Sequence, residues 1–261
     1  MLIEFSKYQG TGNDFLIIDN TTNFFPKTDS KLINFLCDRK IGVGADGLIL
    51  IEKSKSSDYE MIYFNADGNL GSMCGNGARC SIHFSMLNKI IEYTTSFLAF
   101  DGLHTGSLKE NFVKVSMSDV LTYDEFNDFI FVDTGSPHLV KCVDDVDQID
   151  IIEISREIQK DIRFKDGVNV NFLSKEKDNL YRIRTYERGV ENETLSCGTG
   201  AVAAAITLNI LSLVNSDCIN LKTKGGELTV DLKRSENIFT NIFLSGNVTR
   251  VFDGRIEIWK K

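Results

Sequence analysis

The segments Met73-Cys-Gly-Asn-Gly-Ala78 and Ser196-Cys-Gly-Thr-Gly-Ala201 carry the same pattern, a cysteine followed by Gly-x-Gly, at a spacing of 123 residues. The same spacing relates further glycines in pairs: Gly12 and Gly135, Gly44 and Gly167, Gly102 and Gly225. Self-similarity at one fixed offset is typical of a duplicated structural unit. The sequence therefore predicts two halves with the same fold, related by an approximate two-fold axis that brings Cys74 and Cys197 to opposite sides of one cleft.

Hydrophobic patterning predicts the elements of each half. In the first half, alternating or β-branched stretches predict strands at residues 15–18, 48–51, 60–64 and 93–100. A long helix is expected after each cysteine, over residues 75–90 and 198–213. The second of these is apolar all round, which is typical of a helix wrapped by a sheet. Shorter amphipathic helices are expected on the outside at residues 30–39 and 148–160.

These elements predict an α+β fold of two pseudo-symmetric domains, each a mostly antiparallel sheet wrapped around a central apolar helix. The first domain, residues 1–118, carries Cys74, and the second, residues 119–249, carries Cys197. The C-terminal tail, residues 250–261, is expected to return to the first domain. The segment at residues 116–126 is the expected crossing between the two.

Composition argues against several classes of protein. The chain has 261 residues, 42% of them hydrophobic, and a net charge of −8 without a basic stripe, so we expect no nucleic-acid partner. The longest apolar run, residues 201–214, is shorter than the roughly 20 residues that span a bilayer, so no membrane partner is expected. The N-terminus shows no export signal, which predicts a cytoplasmic protein. The oligomeric state stays open between a monomer and a homodimer.

Neither a metal nor a cofactor is expected. The six cysteines include no Cys-x-x-Cys pair, and the three histidines do not cluster near thiols, so metal ligation is not indicated. No lysine stands in a setting typical of pyridoxal phosphate. The glycine-rich Gly42-Val-Gly-Ala-Asp-Gly47 precedes a strand instead of opening a helix, as a dinucleotide-binding motif would.

A cysteine that immediately precedes a helix lies beside unsatisfied backbone N–H groups and the positive end of the helix dipole. Both features favour the thiolate, which is the form that acts as a base. The glycines let the backbone approach an anion such as a carboxylate. Two such turns on opposite faces of one α-carbon would provide an acid and a base for inversion, and the two thiols would titrate as a coupled pair.

A series of segments, in order along nearly the whole chain, resembles the motifs of the diaminopimelate epimerase family. They are Gly10-Thr-Gly-Asn-Asp-Phe15, Gly44-Ala-Asp-Gly47, Phe64-Asn-Ala-Asp-Gly68, Met73-Cys-Gly-Asn-Gly-Ala-Arg79, Ser136-Pro-His138, Glu187-Arg-Gly189 and Ser196-Cys-Gly-Thr-Gly-Ala201. The resemblance implies a cofactor-independent isomerase that interconverts LL- and meso-2,6-diaminoheptanedioate in lysine and peptidoglycan precursor biosynthesis.

The resemblance also implies roles for individual residues. Cys74 and Cys197 would be the acid/base pair, with His138 and Glu187 near the thiols to help manage their protons. The α-carboxylate would be held by the backbone amides of Gly75, Asn76, Gly198 and Thr199. The other substrate contacts would be Asn13, Asn65, Asn169, Glu187 and Arg188, with Arg188 on the distal carboxylate. Two positions depart from the family: Ser136 stands where Asn is frequent, and Gly47 where some members have Gln.

Other interpretations of the same residues stay open. A proline or hydroxyproline racemase would share the fold and the thiol pair, but typically has His at the position of Asn76. The two cysteines could instead form a redox-regulated pair, or the chain could be a silent binding protein. Among the supporting residues, Asn13 and Asn65 also suit turns, His138 suits a cap or surface position, and Glu187 with Arg188 suits a surface ion pair.

Overall fold

The chain divides into two units in the computed structural model, which describes residues 1–258. Unit 1 contains Met1–Val115 and the chain from Asn247 onward, and unit 2 contains Ser116–Gly246. The predicted domain boundaries, at residues 118 and 249, stay predictions, and residues 259–261 of the expected tail lie outside the described residues. Within the described residues, no helix is both long and apolar enough to cross a membrane.

Unit 1 is built from strands that pair in chain order. Its elements are β1 (Leu2–Gly10), β2 (Asn13–Asp19), α1 (Ser30–Cys37), β3 (Gly47–Glu52), β4 (Tyr59–Asn65), α2 (Gly75–Leu87), β5 (Thr94–Ala99), β6 (Gly102–Lys109) and β7 (Phe112–Ser116). The pairs β2–β3 and β4–β5 are parallel, and the other neighbours are antiparallel. The four strands predicted from the sequence are confirmed, whereas β1, β6 and β7 were not predicted.

Unit 2 repeats this order. Its elements are β8 (Asp124–Phe126), β9 (Phe129–Asp133), β10 (Pro137–Cys142), α3 (Ile151–Ile158), β11 (Asn169–Lys177), β12 (Leu180–Glu187), β13 (Asn192–Thr194), α4 (Gly198–Ile210), β14 (Cys218–Thr223), β15 (Gly226–Ser235) and β16 (Ile238–Glu257), with 3-10 turns at Val146–Gln148 and Ile162–Phe164. The pairs β10–β11 and β12–β14 are parallel. β16 continues into unit 1, where it pairs antiparallel with β1.

The register of the strands refines the repeat. Helices α2 and α4 begin at Gly75 and Gly198, which keeps the spacing of 123 residues. In the parallel pairs, however, Phe15 lies opposite Gly47, and His138 lies opposite Asn169, so β11 follows β3 at a spacing of 122. Compared with unit 1, unit 2 therefore has one residue fewer between its first parallel strand, β10, and β11. It has one residue more between the start of β11 and Cys197.

A long helix is central to each unit. In unit 1, α2 contacts β1, β2, β3, β4 and β6; in unit 2, α4 contacts β9, β10, β11, β12 and β15. Helix α4 is apolar and buried on all sides, as the sequence predicts. Helix α2 is equally buried although it carries Arg79, Ser81 and His83.

Both central helices end three residues before their predicted ends. Lys89 and Ser212 adopt left-handed backbone conformations, with φ of 59° and 55°. The following amides bond back across the turn, Ile90 N–H to Ser85 O at 2.8 Å and Leu213 N–H to Leu208 O at 2.9 Å. This is the Schellman type of helix end, here formed without glycine, so neither helix end carries the glycine that usually marks a stop.

The outer helices pack on the opposite face of each sheet. In unit 1, α1 buries Ile33 and Leu36 against Leu48 and Leu50 of β3. In unit 2, α3 starts later than predicted because the Asp150 side chain caps it, accepting a hydrogen bond from Glu153 N–H at 3.0 Å. Since both faces of the inner strands are covered, β3 is buried at every position.

Truncation of Leu50 to alanine should destabilise unit 1 strongly. Leu50 is 0% exposed, so the change removes buried methyl groups and leaves a cavity, at a cost of about 2–5 kcal/mol. The free energy of unfolding in urea measures the effect. The matched control is Leu103→Ala, because Leu103 is 60% exposed and its loss should cost no more than about 0.5 kcal/mol. Equal losses in the two variants would contradict the assigned core.

Candidate active site

Cys74 is the N-cap of helix α2, and its side chain completes the cap. The Sγ atom accepts a hydrogen bond from Gly77 N–H at 3.4 Å, and the Cys74 carbonyl accepts one from Ala78 N–H at 2.8 Å. Gly75 and Asn76 supply the first two amides of the same turn, which are the groups expected to hold a carboxylate. The Gly-x-Gly sequence is thus the first helical turn itself and not a turn before it.

Cys197 repeats this geometry at helix α4. Its backbone angles, φ −124° and ψ 118°, are close to those of Cys74, φ −116° and ψ 107°. Its Sγ atom accepts from Gly200 N–H at 3.4 Å, and its carbonyl accepts from Ala201 N–H at 2.9 Å. In both units a sulfur therefore lies at the positive end of a buried helix.

The second glycine of each motif serves the packing of the helix on the sheet. A Cβ atom at Gly200 would lie 2.6 Å from Oδ1 of Asn171, and one at Gly77 would lie 3.0 Å from Cδ1 of Ile49. Both distances are too short for a real contact, or nearly so. Asn171 beneath the helix therefore requires glycine at position 200, whereas at position 77 a Cβ atom would need the end of the Ile49 side chain to move by a few tenths of an ångström.

Asn13 is the hydrogen-bond partner of Cys74. Its Oδ1 atom accepts from the Cys74 thiol at 3.7 Å and from Asn76 Nδ2 at 3.4 Å. Its Nδ2 atom donates to Asp46 at 2.7 Å, which fixes the amide with its oxygen toward the sulfur. Asn13 is thus held beside Cys74 and is more than a turn residue.

Arg79 lies fully buried one turn further along α2. Its Nη2 atom donates to Asn76 Oδ1 at 3.0 Å and to Thr11 Oγ1 at 3.2 Å, which orients Asn76 toward Asn13. Burial lowers the pKa of Arg79 to about 10, against the opposing influence of the Cys80 and Cys74 thiols, so the side chain stays a cation at neutral pH. The sequence motif contained Arg79, but no role was predicted for it.

Asn65 and Gly47 lie at neighbouring ends of β4 and β3. Asn65 begins an exposed turn, in which its carbonyl accepts from Gly68 N–H at 2.9 Å. A Cβ atom at Gly47 would lie 2.5 Å from the Tyr63 ring, so this chain has no room for the glutamine that some family members carry there. The carbonyl oxygen of Phe64 would lie equally close, at 2.5 Å, so both Tyr63 and the neighbouring backbone favour glycine at this position.

His138 reaches Cys197 through a hydroxyl group. The Nε2 atom of His138 lies 2.9 Å from Thr199 Oγ1, and that oxygen lies 3.4 Å from Cys197 Sγ. His138 is completely buried, so it is not the surface or capping residue that the sequence left open. Burial, with a smaller contribution from the charge of Arg188, lowers the pKa of His138 to about 3, so the imidazole is neutral.

Asn169 joins the strands around His138. Its Nδ2 atom donates to Ser136 Oγ at 3.1 Å and to the Pro137 carbonyl at 3.2 Å, and its Oδ1 atom accepts from Arg188 N–H at 3.0 Å. Ser136, the second departure from the family, is therefore tied to Asn169. These bonds place the Asn169 amide between His138 and the start of the Glu187-Arg188 segment.

Glu187 and Arg188 stand at the end of β12. Both are half-buried, and Glu187 pairs with Asn192 of β13. The Arg188 side chain packs over Gly167, donates to the Asp166 carbonyl at 3.4 Å, and lines an open cavity together with Lys165. The same cavity is also lined by the acidic residues Asp166 and Glu191, so its lining carries both charges.

Two further residues of the His138 cluster were not predicted. Asn171 and Thr185 are buried on β11 and β12, and Asn171 contacts the Nδ1 atom of His138 at 3.0 Å. The only signal in the sequence was a polar residue, Asn171, between the apolar Val170 and Phe172 of β11.

Comparison with known proteins identifies the fold and then the family. A PhzF-family phenazine biosynthesis protein of Bacillus anthracis has a TM-score of 0.79 at 15% identity, covering 99% of this chain and 100% of that one. A hydroxyproline epimerase of Agrobacterium vitis has a TM-score of 0.73 at 16% identity, covering 98% and 92%. The chain thus has the two-unit α+β fold found in the class of proteins that includes this epimerase.

The sequence comparisons are more specific. The family model described as diaminopimelate epimerase matches residues 5–120 and 130–251. The diaminopimelate epimerase of Flavobacterium psychrophilum is 45% identical over 252 residues, which cover 96% of this chain and 98% of that protein. The chain belongs to the diaminopimelate epimerase family. The predicted family, the α+β fold and the isomerase class are confirmed.

Replacing His138 should change how stability depends on pH. The folded state keeps His138 neutral down to about pH 3, whereas the unfolded chain protonates it near its ordinary pKa of about 6.5. Wild-type stability should therefore fall as the pH decreases below about 6.5, by up to ~1.4 kcal/mol per pH unit from this group. In His138→Gln that contribution disappears, so urea unfolding between pH 5 and 6.5 should show a shallower slope. Parallel slopes for the two proteins would contradict the assignment.

Proposed function

We propose that this chain interconverts LL- and meso-2,6-diaminoheptanedioate by proton transfer at the α-carbon, with Cys74 and Cys197 as the two bases and without a cofactor. The reaction would serve lysine and peptidoglycan precursor biosynthesis. The observation that carries the proposal is the duplicated cap, in which each sulfur accepts an amide hydrogen bond at the N-terminus of a buried helix. Family membership supports the choice of substrate.

The cap gives each sulfur the properties of a usable base. An amide hydrogen bond and the positive end of a helix favour the thiolate over the thiol. In the proposed reaction one sulfur starts as the thiolate and removes the α-proton, and the other starts as the thiol and delivers a proton to the opposite face. Each turnover exchanges these two states, so the next turnover runs in the reverse sense unless the protons re-equilibrate.

The first-turn amides complete the proposed chemistry. Removal of the α-proton moves negative charge into the α-carboxylate, and preorganised N–H groups stabilise that charge more than the ground state. We assign this role to the amides of Gly75 and Asn76 in unit 1 and of Gly198 and Thr199 in unit 2. The support is positional, because the next two amides of each turn are already bonded to the cysteine.

The remaining residues are proposed to hold the substrate or to adjust the thiols. His138 is assigned to Cys197 through Thr199, with Glu187 as the acidic group of the same region. Asn13 is assigned to the substrate region beside Cys74, with Asn65 at the end of the neighbouring strand β4. Asn169 positions the segment that carries Arg188, and Arg188 is assigned to the distal carboxylate.

We further propose a cytoplasmic location, which the six free cysteines support because reduced thiols persist in that compartment. The proposed partner is the small diamino dicarboxylate itself. The homodimer stays a prediction that sedimentation of the purified protein would decide.

Deuterium labelling tests the two-base mechanism. In heavy water, early turnovers of LL-diaminopimelate should give meso product that carries deuterium at the inverted carbon, while recovered substrate keeps its hydrogen, because different sulfurs remove and deliver the proton. Mass spectrometry of both isomers measures this. Deuterium that enters recovered substrate first would indicate a single base. Proline serves as the second substrate, and turnover of proline alone would reject the proposed specificity.

The cysteine variants test the assigned residues. Cys74→Ala and Cys197→Ala should each lower kcat by about a hundredfold to ten-thousandfold, the range attributed to one positioned acid or base. Cys142→Ala is the matched control, since Cys142 is half-buried on β10 and is not part of either cap. Turnover near the wild-type rate in either cap variant, with circular dichroism unchanged, would remove that sulfur from the mechanism.

Arg188→Lys tests recognition of the distal carboxylate. That carboxylate keeps its charge throughout the reaction, so its contacts should bind substrate and transition state equally. Loss of a bidentate charged contact should raise KM about tenfold or more, with kcat little changed. Arg163→Lys is the control, because exposed Arg163 pairs with Asp161 on the protein itself. A fall in kcat at constant KM would place Arg188 at the reacting carbon instead.

A further inference from the structure

We propose that Asn171 and Thr185 are positioning residues for Cys197: they fix the tautomer of His138 so that the Thr199 hydroxyl donates its hydrogen to the sulfur. This inference rests on the proposed function of Cys197. It concerns a chain of buried polar side chains that runs across β12, β11 and β10 to the start of α4.

The direction of the chain is set at Asn171. Its Nδ2 group donates to the carbonyl of Leu139 at 3.1 Å, and a carbonyl can only accept. Its Oδ1 atom accepts from the Thr185 hydroxyl at 2.9 Å. These two bonds exclude the flipped orientation of the Asn171 amide. In that orientation Oδ1 of Asn171 would face the carbonyl oxygen of Leu139, and both atoms are acceptors.

The fixed amide decides the histidine tautomer. The second hydrogen of Asn171 Nδ2 points at His138 Nδ1, 3.0 Å away, so Nδ1 is the acceptor. Because burial keeps the ring neutral, the ring proton must then be on Nε2. Asn169 Nδ2 lies 3.5 Å from Nε2, but its two hydrogens have the closer partners described above.

The proton on Nε2 sets the direction of the last step. Nε2–H donates to Thr199 Oγ1 at 2.9 Å, so the Thr199 hydroxyl directs its own hydrogen toward Cys197 Sγ at 3.4 Å. The sulfur thus receives a hydroxyl donor in addition to the Gly200 amide. Donors stabilise the thiolate relative to the thiol.

Packing alone does not explain these polar residues. At the equivalent positions of unit 1, Phe15 and Ile49 pack against Gly77 of helix α2, and no hydrogen bond is needed. In unit 2 the same places hold His138 and Asn171, both 0% exposed. Burying polar groups is costly unless every one is satisfied, so the substitution needs a reason other than a filled core.

Charged groups around the chain are few. Helix α4 carries none. Strand β12 carries Arg182 and Arg184, which bond Asp147 and Glu193, and it ends at Glu187; Arg188, which follows, is opposite in sign to Glu187. At the end of β9, the Asp133 carboxylate accepts from Gly135 N–H at 2.9 Å. Hydrogen-bond direction, more than net charge, therefore determines whether the Thr199 hydroxyl donates to Cys197.

Nitrogen-15 NMR of the wild-type protein tests the tautomer directly, because the chain contains three histidines and His138→Gln assigns the signal. We expect an unprotonated Nδ1 and a protonated Nε2 at neutral pH without substrate. A proton on Nδ1 would overturn the proposal. This measurement does not depend on turnover. His138→Gln, which assigns the signal, is the single variant that has to fold.

The pH dependence of thiol alkylation tests the effect on the sulfur. Iodoacetamide labelling, followed by peptide mass spectrometry, gives separate midpoints for Cys197 and Cys74. We expect Asn171→Leu and Thr199→Val each to raise the Cys197 midpoint by about one pH unit, a tenfold loss of thiolate below it, with Cys74 unchanged. The control Asn220→Leu removes an asparagine of β14 that bonds Thr229, and should change neither midpoint.

A double variant shows whether Asn171 acts through Thr199. If it does, Asn171→Leu combined with Thr199→Val should raise the Cys197 midpoint no further than Thr199→Val alone. Additive shifts, or an unchanged midpoint in both single variants, would overturn the relay. Because no substrate is present, these outcomes are independent of the epimerisation assays, so a protein that epimerises diaminopimelate with an unchanged midpoint would fail only this inference.

Discussion

The hydrogen bond from a helix amide to a cysteine sulfur is the interaction on which both units depend. Gly77 and Gly200 donate to Cys74 and Cys197, respectively, at the N-terminus of a helix that is buried along its length. A buried helix end must satisfy its first amides without water, so the sulfur serves the fold. The same bond favours a negatively charged sulfur, so folding and the proposed chemistry use one contact.

At this cap the helix lies close to the sheet in both units. A Cβ atom at the second glycine of the motif would lie 2.6 Å from Oδ1 of Asn171 in unit 2, which is too close, and 3.0 Å from Cδ1 of Ile49 in unit 1, which is tight. The glycine thereby fixes the distance between helix and strand, and it brings strand side chains within reach of the cysteine. The motif therefore serves the packing of the helix on the sheet, in addition to any role in ligand binding.

The surroundings of the two sulfurs differ, although the two caps share one backbone geometry. Besides the helix amide, Cys74 has the oxygen of Asn13 as a side-chain partner, an acceptor whose orientation Asp46 fixes, whereas Cys197 has the hydroxyl of Thr199. Unit 1 also buries the cation of Arg79 beneath its cap, where unit 2 has the neutral Val202. Equal backbones thus offer the two sulfurs different environments, which suits a reaction that needs one acid and one base.

The sequence by itself determined the starts of both central helices, the inner strands of unit 1 and the equivalence of the two cysteines, because capping and hydrophobic periodicity act between near neighbours in the chain. It did not determine the ends of these helices, since Lys89 and Ser212 take a conformation usually given to glycine. Only the tertiary structure decided that Asn171 lies against His138. That contact depends on the register of two parallel strands, and a shift of one residue would have turned the side chain to the opposite face of the sheet.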